Sequence, residues 1–248
     1  MKFEINYYFE EIEKNELFAK LIQDKNNVME IFNSSEELIE KIEKGGKQEI
    51  KTNNIHENVK IIGNVYIDEG TEIESGVIIQ GPVYIGKNCK IMYHSYIRPG
   101  TILGDNCVIG FSSEIKHTIM RDGSKVSDLA FVGDSIIGKN SRIGSGVIVA
   151  NRGFNQEEIA IKSEDKKTIK LGREAFGIVI GDNSRIGANC ATSPGTFIGK
   201  FTWIYPHTCI HGFIPEQKRV YDKQNMIFME NERKVLYKST DWNYENYK

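Results

Sequence analysis

Large aliphatic residues recur at every sixth position through the first half of the chain, beginning at Ile55 and continuing without a break to Ile115. The eleven members of this series are Ile55, Ile61, Ile67, Ile73, Ile79, Ile85, Ile91, Ile97, Leu103, Ile109 and Ile115. From the second member on, the residue two positions earlier is small or β-branched. These residues are Val59, Val65, Thr71, Val77, Val83, Cys89, Ser95, Thr101, Cys107 and Ser113. A period kept this strictly indicates a repeat architecture.

The double period predicts the local structure of each unit. Six residues form one short strand and one tight turn, and three units close a triangular coil of about 18 residues. The large aliphatic side chain fills a corner of the resulting prism, and the small one lies inward on the flat side. Coils stack as parallel strands about 4.8 Å apart. Glycine follows the aliphatic residue at Gly86, Gly104 and Gly110, where it supplies turn dihedrals that other residues avoid.

This pattern resembles the hexapeptide repeat, and the resemblance implies a left-handed winding of the coils, a rare exception to right-handed crossovers. The period slips near Arg121 and then resumes. The later members are Val126, Val132, Ile137, Ile143, Val149, Ile180, Ile186, Thr192, Ile198, Ile204 and Ile210. We therefore predict an all-β fold, a left-handed parallel β-helix over residues 51–212, interrupted by an excursion loop at residues 150–177.

Two segments flank the predicted β-helix. Residues 1–50 are charged and amphipathic and predict an N-terminal helical cap, in which Ser34 or Ser35 caps a helix that stops at Gly45. We expect these helices to cover the open first coil, because a bare coil end is an exposed sheet edge; the alternative is a module that binds a partner. Residues 213–248 lose the period and predict a C-terminal extension with a hairpin over residues 226–237.

The excursion contains two strand-like runs, residues 158–162 and 168–171, with a polar segment between them. This pattern predicts a β-hairpin that projects from the prism. Loops on a rigid scaffold often build functional sites. The hairpin is therefore expected either to line a site or to form a contact between copies of the chain.

Composition limits the class of protein. The chain has 248 residues and a net charge of −2, which argues against a nucleic-acid binder. Its sequence contains no apolar run long enough to span a membrane and no secretory signal, so neither a membrane-spanning helix nor secretion is expected. The four cysteines lack CxxC pairs, which argues against a metal site and favours a reduced, cytoplasmic location. Cys89 and Cys107 occupy the small inward slot one predicted coil apart, where a disulfide is conceivable but a buried thiol is favoured.

Candidate chemistry lies at the turns. The five histidines each follow an aliphatic corner by one to three residues; they are His56, His94, His117, His207 and His211. Arg98 and Lys116 are three repeats apart and stack on one edge of the prism, which predicts either a phosphate or sugar-phosphate site or a solvated basic edge. A carbonic-anhydrase-like metal trimer needs histidines in shared register, and His94 and His117 are not separated by a whole number of repeats.

Two runs resemble the acetyltransferase domain of bifunctional N-acetylglucosamine-1-phosphate uridylyltransferases. The first contains Ile97-Arg98-Pro99-Gly100-Thr101, Gly110 and Glu114-Ile115-Lys116, and the second contains Gly123-Ser124-Lys125-Val126, Val132-Gly133-Asp134-Ser135-Ile136-Ile137-Gly138, Ile143-Gly144-Ser145-Gly146 and Ala150-Asn151. Stand-alone hexapeptide proteins related to sugar nucleotidyltransferases share Gly172-Arg173-Glu174-Ala175-Phe176-Gly177. The resemblance covers roughly residues 8–212. It implies a homotrimer that binds acetyl-CoA and a sugar phosphate or sugar nucleotide between neighbouring prisms.

The resemblance assigns site residues one by one. It implies that Arg98 and Lys116 contact phosphate and that Asn151 lies near the acceptor sugar. The family's catalytic histidine falls at Asp128 here, its tyrosine at Phe131, and a sugar-contacting asparagine at Arg142. A carboxylate with an ordinary pKa near ~4 is poorly matched to deprotonating an amine at neutral pH. The base is therefore expected to be Asp128, with a perturbed pKa, or His117.

These substitutions leave two functions open. The first is an acyl-CoA-dependent acyltransferase, with acetyl as the expected group, that acts on a sugar or sugar phosphate in the cleft between subunits. The second is a non-catalytic sugar-nucleotide-binding or structural trimer that has lost the catalytic histidine.

Overall fold

The computed structural model describes residues 3–12, 16–45, 48–162 and 167–222. Over these residues it confirms the predicted fold class: a mostly β, parallel, stacked-coil solenoid of about nine turns, consistent with a left-handed β-helix. The C-terminal hairpin predicted over residues 226–237 lies outside the described residues. No helix in the described part of the chain is long and apolar enough to cross a membrane.

Three parallel sheets form the faces of the prism. The first face has nine strands: β1 (Glu49–Ile50), β3 (Val65–Ile67), β6 (Val83–Ile85), β9 (Thr101–Leu103), β12 (Ile119–Met120), β15 (Ile136–Ile137), β20 (Ile178–Ile180), β23 (Thr196–Ile198) and β26 (Phe213–Ile214). The second face has eight: β4 (Glu72–Ile73), β7 (Lys90–Ile91), β10 (Val108–Ile109), β13 (Lys125–Val126), β16 (Arg142–Ile143), β21 (Arg185–Ile186), β24 (Trp203–Ile204) and β27 (Arg219–Val220). The third face has eight: β2 (Lys60–Ile62), β5 (Ile78–Gln80), β8 (Tyr96–Ile97), β11 (Glu114–Lys116), β14 (Phe131–Gly133), β17 (Ile148–Val149), β22 (Ala191–Thr192) and β25 (Cys209–Ile210). The paired strands therefore continue to Val220, beyond residue 212, where the period was predicted to end.

The residues that recur with the period of six form the interior of the prism. From Ile67 to Ile115 every member of the aliphatic series is at most 2% exposed. The small residues fill the remaining space, and their hydroxyls find carbonyls in the next coil: Thr71 Oγ1, for example, donates to the carbonyl of Gly86 at 2.7 Å. Among the buried hydroxyls of the described residues, that of Thr192 alone lacks a partner. Polar residues can therefore line this core, because the neighbouring coil satisfies their hydrogen bonds.

The slip in the period has a structural cause. Before it, Val65 pairs with Val83, three full repeats on, whereas Ile102 pairs with Ile119, one residue short of three repeats. The inward slot after Ile115 is filled by Met120, five positions later, and Met120 is 1% exposed. One residue is therefore missing from this coil, and Arg121, which the strict period would place inside, lies just beyond the strand.

Three helices precede the β-helix: α1 (Ile5–Tyr8), α2 (Glu16–Ile22) and α3 (Glu30–Lys44). The prediction that they cover the first coil is wrong, because they pack along the outside of the first face. Their apolar cluster joins Tyr8, Phe9, Phe18, Ile31 and Phe32 to Ile102, Ile119, Ile136, Val179 and Phe197 of that face. Burial of a whole sheet face outweighs protection of a short strand edge, since the area removed from water is larger.

The start of α3 was also predicted wrongly. The helix begins at Glu30, and Ser35 lies inside it, where its hydroxyl donates to the Phe32 carbonyl at 2.7 Å. Asn27 closes the turn before the helix, since its side-chain oxygen accepts from the Met29 N–H at 2.9 Å. Glu30 reaches back to the Asn27 N–H at 3.3 Å, which makes the contact reciprocal, as in a capping box. The predicted end at Gly45 is confirmed.

A buried ion pair fastens the N-terminal segment to the prism. Arg121 donates to both carboxylate oxygens of Asp182, at 2.8 and 2.6 Å, and each side chain is 1% exposed. The same guanidinium donates to the Glu10 carbonyl at 3.0 Å, and the Glu10 N–H donates to Asp182 at 2.6 Å. The ring of Phe18 lies 4.4 Å from the guanidinium carbon. The contact therefore joins two coils and the helical segment at one point.

The excursion forms the predicted hairpin. Strands β18 (Ala160–Lys162) and β19 (Thr168–Lys170) pair antiparallel, and residues 163–166 between them are outside the described part. Ile159, Ile161 and Leu171 pack over Gly195, where a Cβ would lie 2.7 Å from the Ile161 side chain. The hairpin thus lies against the edge between the third and first faces, called here the third–first edge.

Candidate functional site

A polar cluster occupies the third–first edge, where strands β11 and β14 end. His117 follows β11 and Asp134 follows β14 one coil later, both with positive φ, of 46° and 50°. The His117 Nδ1 lies 3.1 Å from Asp134 Oδ1. Lys116 Nζ lies 3.2 Å from Asp134 Oδ2, and the Asn151 amide donates to the same oxygen at 2.5 Å. Side chains from successive coils therefore converge on one carboxylate.

Asp134 is ionised in this setting. Its side chain is 6% exposed, and burial alone would raise its pKa. Hydrogen bonds from His117 and Asn151 and the charge of Lys116 outweigh burial, so the pKa of Asp134 lies below its ordinary value. An anionic Asp134 fixes the His117 ring with Nδ1 as donor, which leaves Nε2 as the acceptor nitrogen.

The free nitrogen of His117 faces the N-terminal helices. Glu36 of α3 has a carboxylate oxygen 3.9 Å from His117 Nε2. Arg173, at the end of the excursion, donates to that oxygen at 2.9 Å and lies over the Phe32 ring at 4.8 Å. Phe32 in turn stacks on the imidazole, with centroids 6.0 Å apart. The helical segment, the excursion and the prism therefore all contribute to the surroundings of one imidazole.

Arg98 and Lys116 stack on the third–first edge, as their spacing of one coil predicts. The Arg98 N–H donates to the Ile115 carbonyl at 2.8 Å, one coil away. Each cation has an acidic partner: Arg98 Nη1 lies 2.6 Å from Glu114 Oε1, and Lys116 pairs with Asp134. A phosphate bound at this edge would have to share or replace these partners.

Asp128 lies on a different edge, between the second and third faces, called here the second–third edge. Its Oδ1 accepts the Phe111 N–H of the preceding coil at 2.9 Å. Asp105 and Asp122 accept backbone N–H groups across their own coil stacks in the same way, at 2.8 Å each. One carboxylate oxygen of Asp128 is thus held in a repeated coil-to-coil contact.

Arg142 is exposed on the second face and opens strand β16. Phe131 is half-buried on the third face, and Asn151 lies on the third–first edge. Within a single chain the structure therefore brings Lys116, His117 and Asn151 together and keeps Asp128 and Arg142 apart from them. His94 and His207 lie on the second–third edge, and the described residues hold no group of three or more side chains that could bind a metal ion.

Sequence reasoning missed Asp134, Glu36 and Arg173. Asp134 carries a usable signal, because it lies one coil after His117 once the missing residue near position 120 is counted. Glu36 and Arg173 have no such signal in the sequence, because helix α3 and the excursion reach the site through tertiary packing that no local pattern predicts.

Comparison with known proteins identifies relatives of this segment. The family model described as the GMPPB C-terminal domain matches residues 79–173, and the model described as the hexapeptide repeat of succinyl-transferase matches residues 177–200. A bifunctional sugar-1-phosphate nucleotidylyltransferase/acetyltransferase from Sulfurisphaera tokodaii is 42% identical over 64% of this chain and 39% of its own length. The bifunctional protein GlmU of Methanococcus aeolicus is 41% identical over 70% of this chain and 42% of its own.

The chain spans about two fifths of the length of these curated relatives. Among solved structures, a mutant of GDP-perosamine N-acetyl transferase from Caulobacter crescentus, in complex with CoA and GDP-perosamine, matches with a TM-score of 0.38 and 22% identity. That match covers 46% of this chain and 54% of the other.

Proposed function

Since this chain is a hexapeptide-repeat protein similar to sugar-1-phosphate nucleotidylyltransferase/acetyltransferases, we propose that it transfers an acyl group, acetyl in the first instance, from acyl-CoA to a sugar or sugar phosphate. The observation that carries the proposal is the imidazole of His117, held by the buried carboxylate of Asp134 beside Lys116 and Asn151. A histidine oriented by a carboxylate is the usual arrangement of a general base.

The reaction follows from this geometry. Nε2 of His117 takes a proton from the acceptor amine or hydroxyl as that group attacks the thioester carbonyl. The carbon–sulfur bond then breaks, the acyl group stays on the acceptor, and the thiolate of CoA takes the proton back from the imidazolium. Asp134 keeps Nδ1–H bonded throughout and stabilises the transient positive charge. Acyl-CoA is consumed as a substrate in each cycle.

The neighbouring charges favour an amino sugar phosphate as acceptor. Glu36, 3.9 Å from Nε2 and paired with Arg173, would share its negative charge with an incoming ammonium group. Lys116 and Arg98 provide cations for a phosphate at the same edge, and Asn151 provides an amide for a sugar hydroxyl. His117 is the favoured base over Asp128, because one oxygen of Asp128 is engaged with the Phe111 N–H.

The active site is proposed to form between copies in a homotrimer. The first face is covered by the helices, whereas the second–third edge exposes Tyr93 by 48%, Phe111 by 42% and Leu129 by 60%. An apolar ridge of this kind is typical of an interface. If this edge points toward a threefold axis, the second face of one copy meets the third face of the next. That arrangement sets the second face of one copy, which carries Arg142, opposite the third face of another, which ends at Lys116 and His117, and it leaves Asp128 near the axis.

A double variant tests the trimer. Phe111→Glu with Leu129→Glu is expected to convert the trimer to monomers, because six new charges would be buried around the axis. Analytical ultracentrifugation measures the mass. Phe201→Glu is the matched control, since Phe201 is 41% exposed but lies on the edge between the first and second faces. A wild-type monomer, or a double variant that stays trimeric, would refute this interface.

The second candidate is a non-catalytic sugar-nucleotide-binding trimer. The observation that favours it is the loss of histidine at position 128, where Asp128 serves a coil-to-coil hydrogen bond. The two functions differ in one measurable respect, which is release of free thiol.

Thiol release from acetyl-CoA, measured with a panel of amino-sugar phosphates and sugar phosphates, tests the proposed function. The acyltransferase predicts acceptor-dependent release with an acylated product detected by mass spectrometry. Binding of a sugar nucleotide in calorimetry without thiol release for any acceptor would favour the non-catalytic alternative.

A further inference from the structure

An ion pair formed by two segments outside the coils lies beside the acceptor nitrogen of His117. Arg173, at the end of the excursion, donates from Nη2 to Glu36 Oε1 of α3 at 2.9 Å, and that oxygen lies 3.9 Å from His117 Nε2. Helix α3 also lies outside residues 79–173 and 177–200, which the two family models match. The pair is therefore an addition to the repeat at the position where the acceptor would bind.

The guanidinium of Arg173 is held in place from two sides. Its backbone carbonyl accepts the Ile159 N–H at 2.8 Å, and the N–H of the preceding Gly172 donates to the Glu158 carboxylate at 2.7 Å. Its guanidinium carbon lies 4.8 Å from the ring centre of Phe32, which is fully buried. The side chain nevertheless remains 20% exposed. Arg173 thus presents a positioned cation that a ligand can reach.

The ion pair is easily opened, and it favours a ligand with two opposite charges. Glu36 is 48% exposed, and pairs of this kind contribute little to stability. An acceptor with an ammonium group alone must share Glu36 with Arg173, so two cations compete for one carboxylate. An acceptor that brings an anionic group as well gives Arg173 a counter-charge of its own. Each charge in the site is then paired.

We propose that this pair selects an acceptor with a carboxylate on the carbon adjacent to the one that bears its amine, as in an amino-uronic acid. The ammonium pairs with Glu36, and the two carboxylate oxygens match the planar fork of Arg173. The two groups of the ligand must be close together, because their partners lie 2.9 Å apart. The inference rests on the proposed function, in which Lys116 and Arg98 take the phosphate and leave Arg173 for a second anionic group.

Calorimetry of the full-length protein, without acyl-CoA, compares two acceptors that differ only at C6. The probes are 4-amino-4-deoxyglucuronic acid 1-phosphate and 4-amino-4-deoxyglucose 1-phosphate, each also in the galacto configuration. We expect the acid to bind about tenfold more tightly than the sugar with a hydroxymethyl group, since it adds a charge-assisted contact with Arg173. The KM values of the same acceptors in thiol release should show the same preference.

Three variants assign the preference to its residues. Arg173→Gln is expected to remove it, because the acid loses about tenfold in affinity and the hydroxymethyl sugar loses nothing. Glu36→Gln should weaken both acceptors, because both carry the amine. Lys170→Gln is the matched control and should change neither affinity, since Lys170 is a cation of the same excursion, 72% exposed and 3.4 Å from Glu158. Melting temperatures show whether each variant keeps its fold.

The outcomes separate this selection from acyl transfer itself. An acid that binds no more tightly than its hydroxymethyl counterpart in either configuration overturns the proposal. Equal losses for both acceptors in Arg173→Gln also overturn it, because Arg173 would then be a structural contact between α3 and the excursion. Thiol release without a preference for the acid would refute the selection and sustain acyl transfer. A preference in calorimetry that depends on Arg173, without thiol release for any acceptor, would sustain the selection and refute acyl transfer.

Discussion

Replacing Arg121 with alanine is expected to destabilise the folded chain by about 3–5 kcal/mol, because it leaves the carboxylate of Asp182 buried without its partner. Asp182 is 1% exposed and keeps only backbone donors, the N–H groups of Glu10 at 2.6 Å and Lys139 at 2.6 Å. The change also removes the hydrogen bond to the Glu10 carbonyl and the contact with Phe18. Urea unfolding measures the loss.

A nearby surface pair provides the control for Arg121→Ala. Lys139 and Glu11 lie 2.6 Å apart with side chains 29% and 49% exposed, and Lys139→Ala is expected to cost less than about 1 kcal/mol. Hydrogen exchange should show the damage of Arg121→Ala first in α1 and α2, since the ion pair holds that segment to the prism. Equal, small losses in the two variants would show that the buried pair does not anchor the helices.

Replacing His117 with alanine is expected to lower kcat for acyl transfer by about 10²–10⁴-fold, the usual contribution of a general base. The KM for acyl-CoA should change little, because the imidazole acts on the acceptor. Added imidazole should restore part of the rate, which separates a lost base from a damaged fold. Steady-state thiol release over a range of imidazole concentrations makes the measurement.

Two further variants test which residue acts as the general base. Asp134→Asn should lower kcat without raising the KM for acyl-CoA. Lys116 and Asn151 would keep the amide oxygen at the Oδ2 position, so the amide nitrogen would face Nδ1 and favour the tautomer in which Nε2 carries the proton. Asp128→Ala should retain the wild-type rate if its role is the hydrogen bond to Phe111. Full activity in His117→Ala together with loss in Asp128→Ala would move the base to the second–third edge. Full activity in both would eliminate both candidates.

The interior of the prism is the part of this molecule that its sequence predicts best. Each coil repeats one local pattern, with one aliphatic and one small residue in every six. The burial of Ile67 and Thr71 can therefore be predicted from this period alone, without any information about distant residues. The excursion hairpin is predictable for the same reason, since Ile161 and Ile169 lie in short alternating runs that pair locally.

Features that depend on distant contacts could not be predicted from the sequence. Arg121 and Asp182 are far apart along the chain, and neither position has a pattern that marks a buried pair. The helices pack along the first face because Ile102 and Ile119 present apolar side chains outward there, and the period of six describes only the side chains that point inward. Part of the candidate site could be predicted from the sequence. The positions of His117 and Lys116 follow from the register of the repeat. Asp134 is placed beside His117 only when the coil of Met120 is counted as one residue shorter than the others.

Mixing two inactive variants tests most directly whether acyl transfer occurs at a site built by two copies of the chain. His117→Ala removes a residue of the third–first edge and Arg142→Ala a residue of the second face, so each alone is expected to lose most of the wild-type thiol release. After subunit exchange at equal amounts, about one seam in four combines two intact halves. The account predicts recovery to about a quarter of the wild-type rate. An active wild type whose mixed variants stay as inactive as the separate ones would contradict it.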